Sequence, residues 1–241
     1  MSGQLKELLD RLVREQTKKK DAEMLALQAQ INPHFLNNTL MAIRYLARKG
    51  ENIKCEKITI ALAELCSASM RNSKKLLTLD EELRLAKDYF QILQVRYGDT
   101  ITMSVHMSEA LNQCLIPKFT LQPLIENAVF HGLSLNKSGK ISVEIAEQNE
   151  TLHILVEDNG VGMPQQKVNA LNAHLSGIYM DKIYKTGTFN HIGMENVSNR
   201  IKMEFGLQYG LQIFSDLGRR TKIVIHIPKR FAERETEERY S

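Results

Sequence analysis

The chain has 241 residues, 43% hydrophobic and 25% charged, enough apolar material for one large domain or two small ones, which excludes a disordered or fibrous chain. Its 32 basic and 28 acidic side chains are spread along the sequence, so nothing invites nucleic acid and any acidic partner must be recognised locally. Cys55, Cys66 and Cys114 lack C-x-x-C spacing and read as reduced cytosolic thiols filling a core, not as a disulfide frame or zinc site.

In residues 4–23, six basic and five acidic residues surround Leu5, Leu9 and Leu12, a spacing that suits a short coiled-coil seam. Met24, Leu27 and Ile31 resume the apolar spacing one position out of phase. Two readings stand: a solvated helix with a frayed start, or a signal-transmitting helix entering from an upstream region. Residues 24–43 contain no Lys, Arg, Asp or Glu, but Gln28, Gln30, Asn32, His34, Asn37 and Asn38 are too many amides and imidazoles for a membrane span. With no signal peptide before them, the chain as given is expected to be soluble.

Pro33 cannot donate a backbone hydrogen bond, so a helix kinks or restarts there. Leu36, Leu40, Ile43 and Ala47 then form an apolar stripe ending at Gly50. Another helix runs through Ile58, Leu62, Leu65 and Ser69. The next opens on Thr78 and Glu81, spaced as a capping box, continues through Leu79, Leu83, Ala86, Phe90, Leu93 and Tyr97, and stops at Gly98. These amphipathic lengths want each other or a second copy of themselves.

After Gly98 the periodicity changes to short alternating runs at 101–107, 141–147, 152–157, 211–214 and 223–227, with helical segments at 121–130 and 194–205. This predicts an α+β chain whose second half is a mixed sheet covered on one face by helices, with the domain boundary near Gly98 to Thr100. Between 164 and 190 neither period holds, and the stretch reads as a mobile lid.

Four short motifs could carry chemistry. Asp158-Asn159-Gly160-Val161-Gly162 follows the strand ending at Glu157. Asn127 and His131, in Leu124-Ile125-Glu126-Asn127-Ala128-Val129-Phe130-His131-Gly132, are four apart on one helical face. An amide oxygen is a suitable hard ligand for Mg²⁺, and an imidazole one turn on can donate to a phosphate. In His191-Ile192-Gly193-Met194-Glu195-Asn196-Val197 a glycine opens a helix, where backbone amides and the helix dipole favour an anion. Gly218-Arg219-Arg220-Thr221 precedes the last strand.

In this order and spacing, the four motifs resemble the ATP-binding domain shared by sensor histidine kinases, gyrase-type topoisomerases, Hsp90 and MutL. The resemblance implies that Asn127 holds Mg²⁺, His131 contacts phosphate and Asp158 accepts the adenine amino hydrogen bond. It also implies that Gly160 and Gly162 shape the base pocket, Gly193 meets the phosphates, Thr221 supports the site, and 164–190 is the ATP lid.

Ile31-Asn32-Pro33-His34-Phe35-Leu36-Asn37-Asn38-Thr39-Leu40 resembles the phosphoacceptor motif of the LytS and YesM-like sensor histidine kinases, and few other families carry N-P-H-F-L-x-N. His34 lies off the Leu36 to Ile43 stripe and is expected to face outward. Asn38, one turn on, can hydrogen-bond the imidazole and fix its tautomer. The resemblance, spanning roughly 24–228, implies a two-component kinase that autophosphorylates His34 from Mg-ATP and passes the phosphoryl group to a response-regulator aspartate. It implies a homodimer forming the cytoplasmic part of a membrane sensor whose spanning region lies upstream. The expected organisation is a coiled-coil helix at 1–23, a dimerisation and phosphotransfer region at 24–98, an ATP-binding domain at 99–230 and a polar tail at 231–241.

The chain departs from that pattern in three ways. Phe35 stands where the larger class of histidine kinases keeps an acid that can serve as base. His191 and Arg220 occupy usual glycine positions, which leaves a rival reading of a catalytically weak dimeric scaffold with a degenerate pocket. Pro123, four before Asn127, replaces the water-activating glutamate of the gyrase and Hsp90 branches and counts against a hydrolysing ATPase.

Overall fold

The computed structural model describes residues 33–70, 75–133, 138–177 and 192–232, so the predicted 1–23 helix and most of the 231–241 tail lie outside the described residues. The chain divides into two compact units, Met1–Ser73 and Lys74–Ser241.

In the first unit α1 (Pro33–Lys49) and α2 (Asn52–Met70) form a helical hairpin. Gly50, at φ 75°, ends α1: its N–H bonds the Ala47 carbonyl at 3.1 Å while the Glu51 N–H bonds that of Leu46 at 3.0 Å, the paired bonds of a glycine C-cap. Ile58, Ala61, Leu62, Leu65 and Ser69 are buried on α2 as their spacing predicts. On α1 the stripe is rotated from expectation: Leu40 is 52% exposed and Ala47 is exposed, while Thr39 and Leu46 are buried. Thr39 can take a core position because its Oγ1 donates to the Phe35 carbonyl at 2.8 Å. Leu40, Met41 and Tyr45 on α1, with Ile53, Ile60 and Met70 on α2, remain exposed in the described residues of one chain.

The second unit runs β1 (Leu76–Thr78), α3 (Leu79–Tyr97), β2 (Ile101–Met107), β3 (Leu115–Pro117), α4 (Leu121–Asn127), β4 (Gly139–Gln148), β5 (Thr151–Asp158), α5 (Gln165–Ser176), α6 (Ile192–Phe205), β6 (Gly210–Asp216) and β7 (Arg220–Pro228). Helix α3 starts at the predicted capping box, with the Glu81 N–H on Thr78 Oγ1 at 3.2 Å and the Thr78 N–H on Glu81 Oε2 at 2.9 Å. The compact units part at Ser73/Lys74, not at the Gly98 to Thr100 boundary expected from the sequence. Helix α3 belongs with the sheet because its buried face packs on α4 and its first N–H groups bond the carbonyls of Cys114 and Asn112.

The main sheet has the order β2-β4-β5-β7-β6, with β2 parallel to β4 and every other pairing antiparallel. Alternation buries Ile141, Val143 and Ile145, Leu152, Ile154 and Val156, and Ile223, Ile225 and Ile227. A two-stranded sheet of β1 and β3, too short to show periodicity, was not anticipated. Nor was α5, which occupies the first half of the expected lid: it buries only Val168 and Leu175, seven apart, so a mostly polar helix hid its period. Residues 178–191, the rest of that stretch, lie outside the described residues. None of the described helices is long and apolar enough to cross a membrane.

Candidate active site

Asp158 ends β5, and pleat alternation turns it toward the helix-covered side, where it is 5% exposed. Its Oδ1 accepts the Gly160 N–H at 2.9 Å, and the backbone of Thr221, its register partner on β7, donates to it as well. Burial nevertheless wins: the carboxyl is pushed up to about 6. The turn that follows is pinned by a reciprocal pair, Asn159 N–H to the Lys140 carbonyl at 3.2 Å and Lys140 N–H to Asn159 Oδ1 at 2.7 Å.

Three glycines then permit contacts that no side chain could. A Cβ on Gly160 would lie 2.1 Å from the Gly132 carbonyl oxygen, and one on Gly132 would lie 2.5 Å from Asp158 Oδ1. Gly162, at φ 60°, approaches the β6–β7 turn so closely that its Cβ would meet the Asp216 carbonyl oxygen at 2.1 Å. The Val161 N–H bonds Gly132 and the Gly218 N–H bonds Val161, closing the loop against the end of the helical segment and the last hairpin.

Thr221, 9% exposed, sits 3.2 Å from Ser215 Oγ, which also accepts the Met163 N–H at 2.8 Å. Ser215 was missed in the sequence because a lone serine in an alternating strand carries no signal. Arg220 alternates to the opposite face of the sheet from Asp158 and Thr221. Its Nε donates to Asp216 Oδ2 at 2.8 Å, and its Nη1 lies 3.7 Å from Glu157.

Helix α4 carries Asn127 as its last α-helical residue, and Ala128–Gly132 continues as a π-helical turn closed by the Leu133 N–H on the Ala128 carbonyl. The predicted four-residue face of Asn127 and His131 is therefore rewound, and the wider turn brings Gly132 against Gly160; such turns recur at functional sites. His131 is placed by its backbone alone. Asn127 is half-buried, and its carboxamide oxygen is of the hard donor type that Mg²⁺ takes. Among the described residues no three carboxylate, imidazole or thiolate groups converge, so a Mg²⁺ held here would draw most of its ligands from nucleotide and water. Gly193 lies in the first turn of α6, and its Cβ would meet Pro123 Cβ at 3.3 Å, so the start of α6 packs on the first turn of α4.

Glu82, also missed, is a 1% exposed carboxylate on α3 that accepts from Phe119 and Leu121 at the start of α4. Its spacing to Leu79 and Ala86 put it on the buried face, which was the available signal. The structure thus gathers Asn127, Asp158, Gly160, Gly162, Gly193 and Thr221 within the second unit. His34 and Asn38 lie on α1 of the first unit, with the His34 side chain outside the described residues.

The family model described as histidine kinase-, DNA gyrase B- and HSP90-like ATPase matches residues 117–230, the stretch that contains this glycine-threaded contact between a sheet end and a helical segment. The histidine kinase family model matches residues 22–101. The sensor histidine kinase YesM of Bacillus subtilis (strain 168) is 34% identical over 231 residues, 95% of this chain and 37% of that protein. The sensor protein kinase HptS of Staphylococcus aureus (strain USA300) is 30% identical over 209 residues, 87% of this chain and 39% of that protein. The chain belongs to the sensor histidine kinase family, and it spans just over a third of the length of these relatives.

Proposed function

We propose that this chain is the catalytic portion of a two-component sensor that phosphorylates its own His34 from Mg-ATP and hands the phosphoryl group to an aspartate of a response regulator. The observation that carries the reading is the meeting of Asp158, Gly160 and Gly132 at the end of the helical segment that carries Asn127, which leaves a buried carboxylate to accept from the adenine amino group. Gly162 and Thr221 hold the loop and strand that flank it. Asn127 would bind Mg²⁺, which supplies charge neutralisation on the phosphates. His131 and the amides that open α6 at Gly193 would donate to the phosphate oxygens.

In the transfer, a neutral His34 nitrogen forms a bond to the γ-phosphorus as the bond to the β,γ-bridging oxygen breaks and ADP leaves. Asn38 holds the imidazole tautomer, and no described residue is assigned as the base. The exposed apolar residues of α1 and α2, Leu40, Tyr45, Ile53 and Ile60 among them, favour a homodimer in which two such hairpins pack together. By this reading the chain works on the cytoplasmic side of a membrane sensor.

The rival, a scaffold with a dead pocket, is disfavoured by Arg220, whose side chain leaves the nucleotide side of the sheet. Pro123, where a hydrolysing ATPase needs a carboxylate, packs against Gly193 instead. Calorimetric titration with Mg-ADP tests the pocket. Saturable binding that disappears in Asp158→Ala is expected, and absence of binding by the native chain would overturn the reading.

A further inference from the structure

We propose that Glu82 is a positioning residue for the Mg-nucleotide end of this site, fixing helix α4, and with it Asn127, from helix α3. The inference rests on the reading of the nucleotide site given above. A carboxylate at 1% exposure is costly unless its oxygens are engaged, and both are. Oε2 accepts the Phe119 N–H at 3.0 Å and Oε1 accepts the Leu121 N–H at 2.8 Å. The Leu121 N–H is the first orphan donor of α4, and its own cap residue does not serve it: Thr120 makes no side-chain cap and turns its hydroxyl to the Pro117 carbonyl at 2.5 Å. The helix that presents Asn127 is therefore capped by a different helix.

The grip is shared. Phe119 stands at φ 56°, a left-handed conformation that a phenylalanine holds only when its surroundings impose it. Arg200, on the helix that Gly193 opens, donates to the Lys118 carbonyl one residue earlier. Burial raises the Glu82 carboxyl while the three backbone donors of this turn and the facing Arg200 oppose that rise. Farther along, the buried Tyr89 of α3 lies near enough to Glu126, the neighbour of Asn127, for each to shift the other's titration, and the Tyr97 ring meets Phe130 edge-on at 6.1 Å. Helix α3 thus touches the Asn127 segment at its start, middle and end, whereas Asp158, Gly160 and Thr221, the adenine side, are built on the sheet. Loosening Glu82 should move the metal and phosphate end and spare the base end.

The experiment measures ADP affinity with Mg²⁺ and with a chelator, alongside thermal stability, in the full chain and in Glu82→Gln. The native chain should bind ADP more tightly with Mg²⁺. In Glu82→Gln that gain should shrink about tenfold while chelator affinity stays within about twofold of native. A merely structural residue would lower the melting temperature, or weaken both affinities alike, without moving their ratio. Either a native ratio in the variant or an equal loss of both affinities overturns the proposal. Should Glu82→Gln not fold, Glu82→Asp, which keeps the charge but shortens the reach to Phe119 and Leu121, carries the test: a gain reduced about threefold supports it and an unchanged gain overturns it. A native chain that binds no nucleotide overturns the site reading itself, and the proposal with it.

Discussion

A β-carbon on Gly160 would stand 2.1 Å from the carbonyl oxygen of Gly132, although the two residues are brought together from a strand end and a helical segment. The neighbouring backbone bond, Val161 N–H to Gly132 at 3.0 Å, requires that approach. Gly160→Ala should therefore separate the two segments, costing about 2 kcal/mol of stability and lowering ADP affinity at least about tenfold. Thermal unfolding and calorimetry check the two effects separately.

Asp158 predicts a pH dependence. Its folded-state carboxyl titrates near 6, above its ordinary 3.8, so the folded chain takes up this proton before the unfolded chain does. The stabilisation from this group is fully present below about 4 and is lost as pH rises through about 6, a span worth at most about 3 kcal/mol. In the proposed site nucleotide binding runs the other way, because an Asp158 that accepts from the adenine amino group must be ionised. Chelator-based ADP affinity should fall about five- to tenfold from pH 7.5 to pH 5, and Asp158→Asn should flatten that profile.

Ser215 ties the loop after Gly162 to Thr221 through one oxygen, so Ser215→Ala orphans the Met163 N–H and removes the partner of the Thr221 hydroxyl. A loss of about 1 kcal/mol is expected, with ADP affinity falling about threefold. Chemical denaturation and titration measure these effects.

Much of this architecture was legible because the periods were clean. The five alternating runs became the five strands of the main sheet, and the Thr78 and Glu81 capping box and the Gly98 stop bound α3 as predicted. The turn at Asp158 and Gly160 was legible as a turn because adjacent chain positions build it. What stayed hidden depends on contacts between distant segments: Glu82 serves donors 37 and 39 residues away, and Ser215 meets Met163 across 52. The division into compact units at Ser73/Lys74 was not legible for a similar reason, since the amphipathic pattern of α3 shows that it must pack but not on which partner, while the two family models meet near the expected boundary. Helix α5 escaped because polar surface helices have little apolar period.

One α5 residue guards the open edge of the sheet. The Asn172 carboxamide donates to the Ile213 carbonyl at 2.7 Å and accepts the Ile213 N–H at 2.8 Å, occupying the middle of edge strand β6. Asn172→Ala should cost about 1–2 kcal/mol and make the second unit prone to edge-to-edge self-association. Light scattering against concentration reads the second effect.

Phosphorylation of His34 is tested most directly by incubation with γ-labelled ATP and Mg²⁺. Label that is stable to alkali and lost in acid is expected to be present in the native chain and absent from His34→Gln, while that variant still binds Mg-ADP. Equal labelling of His34→Gln would contradict it.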